Sequence, residues 1–367
     1  MSADHNATLK PGAVIGILGG GQLGRMLALA AARLGFKIHI YCPEPNGPAA
    51  QFAQHEVNAP YDDLVAIKAF AAQCDVVTYE FENIPQSSAL TAAAVKPLHP
   101  NAKALATAQD RAVEKTFIQN EANVAVAPFA IVNSAQKTKI AAQDIGFPAV
   151  LKTRQFGYDG KGQAVLKTAA DIGPAFSTLS GKDSDAKILC VLEAFVPFTR
   201  EVSVVAARNK EGQTAAYPLI ENVHKNHMLH TSVAPTMRDT GEAQKLAVKI
   251  MHALDYVGVM ATEFFELEDG TLIVNEIAPR VHNSGHWTQD AGCIDQFELH
   301  IRAICGWPLG NTQPRFQMEM TNLVGTDVNA WEALAKEGNA HIHLYGKSDP
   351  RPGRKMGHVN RIIGRID

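Results

Sequence analysis

Two glutamates that flank a predicted β-hairpin have the residue type and spacing needed to bind a divalent cation. The Asp269-Gly270 dipeptide separates two alternating stretches and predicts a two-residue turn. That turn places Glu263 opposite Glu276, with Asn275 on the other face unless a bulge redirects it. Facing carboxylates repel each other, but Mg²⁺ shared with phosphate oxygens would make the pair favourable. The alternative is a solvated edge hairpin with surface acids.

A lysine and a glycine-rich segment suggest that a phosphorylated ligand is covered. Lys152 ends an apolar stretch, and Gly157-Tyr158-Asp159-Gly160-Lys161-Gly162 follows as a predicted mobile loop between antiparallel strands. The loop is not a Walker A motif, because G-K-[ST] is absent. Farther on, the backbone of Glu193-Ala194-Phe195-Val196 is placed to read an adenine edge, and Glu201 to hold ribose hydroxyls. An ordinary hairpin explains each feature taken alone.

A second glycine loop lies near the N-terminus. Gly19–Gly24 fits G-x-G-x-x-G after the apolar stretch Val14–Leu18 and before a helix, and Glu44 follows about 20 residues on. A helix N-terminus attracts phosphate, so this pattern is typical of a nicotinamide or flavin enzyme. The alternative is a helix-opening turn that binds another polar ligand.

The C-terminal segment is basic in a chain that is slightly acidic overall. Residues 347–367 contain six Lys or Arg and two Asp, a net charge of +4, whereas the whole chain has −3. Glycines on both sides of Arg354-Lys355 favour a turn that holds an anionic ligand. A solvated basic tail is the alternative.

The elements that position these residues follow from the apolar patterns. A strand, a helix to about Leu34 ended by Gly35, and a second strand form a βαβ unit, which predicts a parallel sheet. A later strand runs into Glu82-Asn83, at the sheet edge where ligands bind. Pro97 and Pro100 flank a predicted linker. The last sixty or so residues are predicted to form a small separate structural unit. The predicted strands are Phe36–Tyr41, Asp75–Thr78, Ala149–Thr153, Ile188–Leu192, Glu201–Ala207 and Ala215–Leu219, and a helix is predicted over Glu242–Leu254.

Length and composition bound the class of protein. The chain has 367 residues, 46% hydrophobic and 19% charged, which predicts two or three domains. The small net charge gives no reason to expect a nucleic-acid or membrane partner, and neither a membrane-spanning run nor a secretory signal is evident. The cysteines are odd in number and widely spaced, so we expect reduced thiols in a soluble, cytoplasmic protein. They are Cys42, Cys74, Cys190, Cys293 and Cys305.

Together these motifs resemble the ATP-grasp superfamily and, more closely, the N5-carboxyaminoimidazole ribonucleotide synthetases, the carboxylases of bacterial and fungal purine synthesis. The resemblance covers nearly the whole chain in order. It is carried by GILGGGQLGRM (16–26), YEFENIP (79–85), DR-x-x-EK-x-F (110–117), GYDGKGQ (157–163), NEIAPRVHNSGHWT (275–288), QFELHIRAI (296–304) and GRKMGHVN (353–360). One departure is Phe156, where the family commonly has glycine; we expect a stiffer loop without loss of activity.

The resemblance implies an α/β and α+β architecture in three parts. These are a Rossmann-like N-terminal domain (1–105), an ATP-grasp domain (106–305) with a lid subdomain at about 125–197, and a small C-terminal domain (306–367). It also implies a homodimer and a transient handover of product to the N5-carboxyaminoimidazole ribonucleotide mutase. The implied reaction carboxylates aminoimidazole ribonucleotide, with ATP and bicarbonate as co-substrates.

The resemblance also implies the roles of individual residues. The nucleotide site comprises Arg111, Lys152, Phe156, Gly157, Tyr158, Asp159, Gly160, Lys161, Gly162, Glu193, Ala194, Phe195, Val196, Glu201, His224, Asn275 and Glu276. Glu263 and Glu276 hold Mg²⁺, of which two ions are expected with ATP. The acceptor site comprises Gln22, Leu23, Glu82, Asn83, Tyr158, Asp159, Lys161, Arg280, His282, Lys347, Arg354 and Lys355. Catalytic roles fall to Asp159, Arg280 and His282.

Other classes of function remain open at this point. Another ATP-grasp ligase, such as a formate-dependent glycinamide ribonucleotide transformylase, shares much of this framework, although the 278–288 segment argues against it. The hypothesis of a nicotinamide-dependent oxidoreductase is supported by the Gly19–Gly24 motif alone. A non-catalytic nucleotide-binding regulator would not need both Glu263 and Glu276. The His224-x-x-His227-x-x-His230 spacing suggests zinc only weakly, because no acidic or thiolate partner accompanies it.

Overall fold

A parallel sheet opens the fold and confirms the predicted βαβ unit. The computed structural model describes residues 8–155, 157, 162–180, 189–236 and 238–366. The strand order of the first sheet is β3-β2-β1-β4, with every pair parallel. Its elements are β1 (Val14–Leu18), α1 (Gln22–Arg33), β2 (Lys37–Tyr41), β3 (His55–Val57), α2 (Leu64–Ala72), β4 (Val76–Tyr79) and α3 (Gln86–Ala93). Both the glycine loop and the segment after β4 therefore lie at the carboxyl edge of this sheet, as predicted.

Two helices lead from this sheet into an antiparallel sheet with a core of its own. They are α4 (Ala102–Ala108) and α5 (Arg111–Asn120). The second sheet has the order β5-β8-β6-β7, and its buried side chains form a separate cluster with those of its two helices. Its elements are β5 (Phe129–Val132), α6 (Ala135–Ile145), β6 (Ala149–Thr153), β7 (Gln163–Leu166), α7 (Ile172–Ser180) and β8 (Cys190–Ala194). We refer to this unit as the lid sheet.

A long antiparallel sheet carries the remaining strands. Its order is β14-β13-β9-β11-β12-β15-β17-β16, and β10 pairs with β9. The first elements are β9 (Arg200–Arg208), β10 (Thr214–Ala216), β11 (Ile220–Lys225), β12 (Met228–Ala234), α8 (Glu242–Ala253), β13 (Gly258–Glu266), β14 (Leu272–Ala278) and α9 (Gln296–Ile304). The C-terminal elements are β15 (Phe316–Val324), α10 (Trp331–Leu334), β16 (Ala340–Leu344) and β17 (Lys355–Arg365). The last strands extend this sheet through the β12–β15 pair rather than forming a sheet of their own.

The predicted elements agree with these bounds in type and mostly in position. The predicted strand 188–192 begins two residues later, at Cys190, and the predicted strand 215–219 is replaced by the short β10. Four of the five cysteines are buried free thiols, as expected, whereas Cys293 is half-buried. No helix within the described ranges is both long and apolar enough to cross a bilayer.

One hydrophobic core joins the first sheet to the long sheet. Ile15 and Ile17 of β1 belong to the same buried cluster as Val205 of β9 and Phe297 of α9. Helix α1 packs directly against α9. The first and long sheets therefore provide a common frame, against which the lid sheet is a distinct unit.

His300 is a buried polar link within this frame. Its Nδ1 accepts the Val259 N–H (3.1 Å), so the neutral ring carries its proton on Nε2 and donates it to the Thr78 hydroxyl (2.8 Å). Burial, and next the charge of His99, lowers the pKa of His300 to about 3. Folding therefore holds the ring in its neutral form.

We expect this histidine to make the protein less stable in mild acid. The pKa of His300 is lower in the folded than in the unfolded state, so its contribution to the free energy of unfolding is complete above about pH 6.5. This contribution decreases as the pH falls, by about 2 kcal/mol at pH 5. Urea unfolding at pH 7 and pH 5 measures this loss, which His300→Gln should reduce. The exposed His252→Gln is the control, and an unchanged pH dependence in His300→Gln would contradict the assignment.

Candidate active site

The β13–β14 hairpin places Glu263 opposite Glu276, as predicted, but by a different local route. The loop spans residues 268–270 rather than two residues, and Gly270 adopts a left-handed φ of +84°. The extra residue is offset by a bulge at Asn275, which has no partner in the strand register. The predicted two-residue turn was therefore wrong, whereas the predicted carboxylate pair is confirmed.

Each carboxylate of the pair already contacts one basic side chain. His282 Nε2 lies 3.2 Å from Glu263, and Arg111 Nη1 donates to Glu276 at 3.0 Å. Burial, and next the charge of Glu276, raises the pKa of Glu263 to about 7. Burial also lowers the pKa of His282 well below its usual range. The site therefore contains excess negative charge that a cation would stabilise.

The donor set at the hairpin suits magnesium. Glu263 and Glu276 supply carboxylate oxygens, and among the described residues the buried Oδ1 of Asn275 has no hydrogen-bond partner. Oxygen ligands of this kind, completed by substrate phosphates and water, are what Mg²⁺ prefers. Within the described ranges no three His, Cys, Asp or Glu side chains converge as a closed metal cage. An open site that leaves positions for phosphate oxygens fits these residues.

A buried charge cluster lies beside the carboxylates and includes a lysine to which the sequence analysis gave no role. The Glu193 carboxylate contacts Lys152 at 3.0 Å and Lys115 at 3.2 Å, and all three side chains are almost fully buried. Lys115 also donates to the Asn275 carbonyl at 3.4 Å. The cluster thus links α5, the lid sheet and the bulge of β14. With two lysines and one glutamate, the cluster has a net positive charge, which favours a phosphate group nearby.

The segment predicted to read adenine follows an inner strand, as expected. The Ala194 and Phe195 N–H groups donate to the carbonyls of Pro128 (2.8 Å) and Pro148 (3.2 Å). The Glu193 carboxylate contacts Lys115 and Lys152, so this side chain holds the two lysines in place. Val196 follows at the half-buried end of this segment.

The predicted ribose glutamate faces a histidine from the next strand of the long sheet. Glu201 Oε2 and His224 Nδ1 lie 3.1 Å apart. Burial lowers the pKa of His224, but the hydrogen bond and charge of Glu201 outweigh it, so the pKa lies above its usual value. His227 lies in the turn between β11 and β12, where its φ is +63°.

Two of the predicted acceptor residues, Glu82 and Arg280, form an ion pair. The Arg280 Nε donates to Glu82, and Gln109 holds the backbone at that position by donating to the carbonyls of Glu82 (2.7 Å) and Ile84 (2.6 Å). Asn83 is exposed between them. Arg280 also follows Glu276 closely in the chain, so the acceptor residues adjoin the carboxylate pair.

The basic C-terminal segment contributes a second group of cations. Lys347 Nζ donates to the Lys355 carbonyl at 2.8 Å, which brings the two residues together across the turn that contains Arg354. Burial, and next the charge of Arg354, lowers the pKa of Lys347 to about 8. Lys355 is close enough to His282 to lower the pKa of that histidine. These cations therefore approach the site from the side of β17.

Comparisons with known proteins decide the family. Family models match residues 13–109 (ribonucleotide synthetase preATP-grasp domain), 117–297 (ATP-grasp domain) and 319–365 (phosphoribosylaminoimidazole carboxylase C-terminal domain). The chain is 48% identical over 363 residues to the N5-carboxyaminoimidazole ribonucleotide synthase of Brucella melitensis, covering 98% of each chain. The chain belongs to the N5-carboxyaminoimidazole ribonucleotide synthase family.

Solved structures of this family share the fold over nearly the whole chain. An N5-carboxyaminoimidazole ribonucleotide synthetase crystallised as its ADP complex has 42% identity and a TM-score of 0.91, covering 97% of this chain and 93% of that one. The synthase of Aspergillus clavatus, crystallised with ADP and 5-aminoimidazole ribonucleotide, has 30% identity and a TM-score of 0.88, covering 97% and 95%. The resemblance inferred from the motifs is confirmed, and so is the ATP-grasp fold with its N- and C-terminal domains.

Some of the residues predicted for the synthase site lie outside the described ranges. They are Phe156, Tyr158, Asp159, Gly160 and Lys161. Of the described residues of this loop, Gly157 contacts a site residue, because its carbonyl accepts from Arg111 (3.2 Å), whereas the Gly162 carbonyl accepts from Thr153 N–H (2.8 Å) next to the β6–β7 pairing. Gln22 and Leu23 form the first turn of α1, where predicted.

The residue roles that sequence reasoning missed are structural supports within this synthase fold. Lys115 belongs to the DR-x-x-EK-x-F motif, but its contact with Glu193 joins two units that are far apart in sequence. Glu114 is similar: its carboxylate accepts the Ile277 N–H at 2.7 Å and so braces β14. The signal available in the sequence was a charged residue on the apolar face of α5.

Proposed function

We propose that this chain carboxylates 5-aminoimidazole ribonucleotide to N5-carboxyaminoimidazole ribonucleotide, with ATP and bicarbonate as co-substrates. The observation that carries the proposal is the Glu263–Glu276 pair, which Arg111 flanks and which Arg280 and His282 follow closely in the chain. This arrangement joins a phosphate-binding site to an acceptor site. The family to which the chain belongs performs this step of purine biosynthesis.

The nucleotide half of the site positions the γ-phosphoryl group. Arg111 contacts the Glu276 carboxylate, and Lys152 contacts the buried Glu193 carboxylate, so each cation is held by an acidic partner. Phosphoryl transfer depends mainly on such positioning and on charge neutralisation. When Mg²⁺ is bound by Glu263 and Glu276 beside Asn275, it neutralises the phosphate oxygens. We assign the remaining predicted nucleotide residues to the same half of the site.

The chemistry requires an activated form of bicarbonate. A bicarbonate oxygen attacks the γ-phosphorus, the bond to the β-phosphate oxygen breaks, and ADP leaves as carboxyphosphate forms. Carboxyphosphate then releases CO₂, and its phosphate keeps the hydroxyl proton. The exocyclic amine attacks CO₂ to give the carbamate and loses a proton to phosphate or to Asp159. His282 contacts Glu263 of the carboxylate pair, and Arg280 is two residues away in the chain. An acceptor bound by these two residues would therefore lie close to where CO₂ is released.

The acceptor half of the site recognises a phosphorylated ribonucleotide. Lys347, Arg354 and Lys355 supply positive charge for its phosphate. Gln22, Leu23, Glu82 and Asn83 face the same edge from the first sheet, with Arg280 fixed by Glu82. We further propose, from the family alone, a cytoplasmic homodimer that hands its product to the N5-carboxyaminoimidazole ribonucleotide mutase, with the three-domain division stated above.

The direct test measures ADP release with Mg-ATP and bicarbonate, in the presence and absence of aminoimidazole ribonucleotide. We expect release that depends on the ribonucleotide, together with a labile carboxylated product. Glycinamide ribonucleotide with formate should not replace the two substrates. Slow release that ignores the ribonucleotide would reject this acceptor while keeping the ATP-grasp chemistry.

Lys355→Ala should chiefly weaken ribonucleotide binding. Loss of one charge-assisted contact to phosphate is expected to raise the KM for the ribonucleotide about tenfold while leaving the KM for ATP within about twofold. Steady-state kinetics with each substrate varied in turn measures both values. Arg351→Ala removes the same charge from an exposed position of the same turn and is the control. An unchanged ribonucleotide KM in Lys355→Ala would remove Lys355 from the phosphate site.

A further inference from the structure

A buried glutamate occupies the place that the glycine-loop motif led us to expect for a phosphate. Glu80 is the first residue after β4 and is only 7% exposed. One oxygen of its carboxylate accepts the Gly21 N–H, and the other accepts the Gly24 N–H at 2.6 Å. The N-terminus of α1 is therefore capped by an anion that the protein itself supplies.

The glycines of this loop leave room for that carboxylate. A Cβ atom on Gly19 would lie 2.2 Å from the Glu80 Cγ, and one on Gly21 would lie 2.7 Å from its Oε1. A side chain at either position would displace Glu80. The G-x-G-x-x-G spacing here thus reflects packing around a protein carboxylate, which removes the basis for a nicotinamide site.

The Glu80 carboxylate also ties together segments that carry acceptor residues. Its two hydrogen bonds join the segment containing Glu82 to the loop that opens into Gln22 and Leu23. The C-terminal segment approaches the same helix, because a Cβ on Gly346 would lie 3.4 Å from Arg25 Nη1. Three stretches that are distant in sequence therefore meet around one buried group.

The pKa of Glu80 lies above its usual value, although its neighbours favour the ionised form. Burial raises its pKa, whereas the Gly24 and Gly21 N–H groups, Arg280 and Lys347 each act in the opposite direction. Arg280 and Lys347 are the residues assigned to the acceptor and its phosphate. Glu80 thus lies behind the acceptor residues without being a member of their exposed surface.

We propose that Glu80 is a positioning residue for the acceptor: it locks the loop bearing Gln22 and Leu23 against the segment bearing Glu82. The inference rests on the proposed function, because the acceptor is the ribonucleotide named there. The nucleotide half, built on Lys152, Glu263 and Glu276, does not depend on this contact.

The test is Glu80→Gln, with both substrates varied in turn. The amide keeps the size of the side chain but offers only one acceptor oxygen to the two N–H groups. We expect the KM for the ribonucleotide to rise about tenfold, with the KM for ATP and kcat changed less than about twofold. The direction of the change in KM separates two explanations. If Glu80→Gln acted only by removing negative charge near Lys347, the site would attract a phosphorylated substrate more strongly and the KM would fall.

Two further variants keep the test decisive. Asp63→Asn replaces the carboxylate that caps α2 in the same sheet (Ala66 N–H, 2.9 Å) and should leave both KM values unchanged. Gly21→Ala displaces the Glu80 carboxylate from the opposite side, so it should raise the ribonucleotide KM even if Glu80→Gln does not fold. A ribonucleotide KM that stays at or below the wild-type value in the folded variant overturns the inference. Wild-type enzyme without ribonucleotide-dependent ADP release would instead reject the proposed function.

Discussion

Glu276→Gln is expected to lower kcat at least about a hundredfold, the scale seen when one group that stabilises developing charge is removed. The amide oxygen of glutamine is a weaker ligand for a hard cation, and the substitution also replaces the charged partner of Arg111, 3.0 Å away, with a neutral one. Two measurements check this: turnover at saturating substrates, and Mn²⁺ binding followed by electron paramagnetic resonance in the presence of ADP. We expect both to be lost together.

The control for Glu276→Gln lies in the same hairpin. Glu268→Gln makes the same chemical change at an exposed position of the loop and should retain both turnover and metal binding. If Glu276→Gln turned over at the wild-type rate, the magnesium assignment would be wrong. If it bound Mn²⁺ normally but failed to turn over, Glu276 would act through Arg111 instead.

The hairpin shows how sequence reasoning reached the correct pair despite an incorrect turn. An Asp-Gly dipeptide fits a two-residue turn, but its glycine equally fits a three-residue loop that ends in a left-handed residue. The compensating bulge at Asn275 depends on contacts from outside the hairpin. Val274 donates to the Ala125 carbonyl at 2.9 Å, and Ile277 donates to Glu114. Such contacts are set by the packing of α5 and of the segment that follows it, and they cannot be read from the hairpin's own residues.

The N-terminal sheet and the strand at 149–153 could be predicted because their apolar runs are bounded by glycine, proline and polar residues. The function of the glycine loop could not be predicted from its own pattern. The same spacing accommodates either a ligand phosphate or a side chain, and here Glu80 lies about 60 positions away in sequence. The buried partners of Glu193 were hidden for the same reason. Motif resemblance supplied the nucleotide assignment, whereas pairing across units required the structure.

Lys115→Met is the second substitution for which we expect a large effect. Without the Lys115 charge, Glu193 is left with Lys152 as its remaining cation in this cluster and should hold it more tightly, away from the phosphates. We expect kcat/KM for ATP to fall about a hundredfold. The KM for the ribonucleotide should change less than about twofold, and the free energy of unfolding should fall by about 2 kcal/mol. Steady-state kinetics and urea unfolding provide these values.

A double variant separates positioning from a simple loss of stability. In Lys115→Met/Glu193→Gln the carboxylate that retains Lys152 is gone as well, so kcat/KM for ATP should recover partly, even though the variant lacks two buried charges. Lys103→Met, on the neighbouring α4 and half-exposed, removes the same functional group and should leave ATP kinetics unchanged. The two residues would act independently if Glu193→Gln lowered kcat/KM for ATP by the same factor in the Lys115→Met background as in the wild-type enzyme. In that case Lys115 would contribute through its own charge near the phosphates rather than through Glu193.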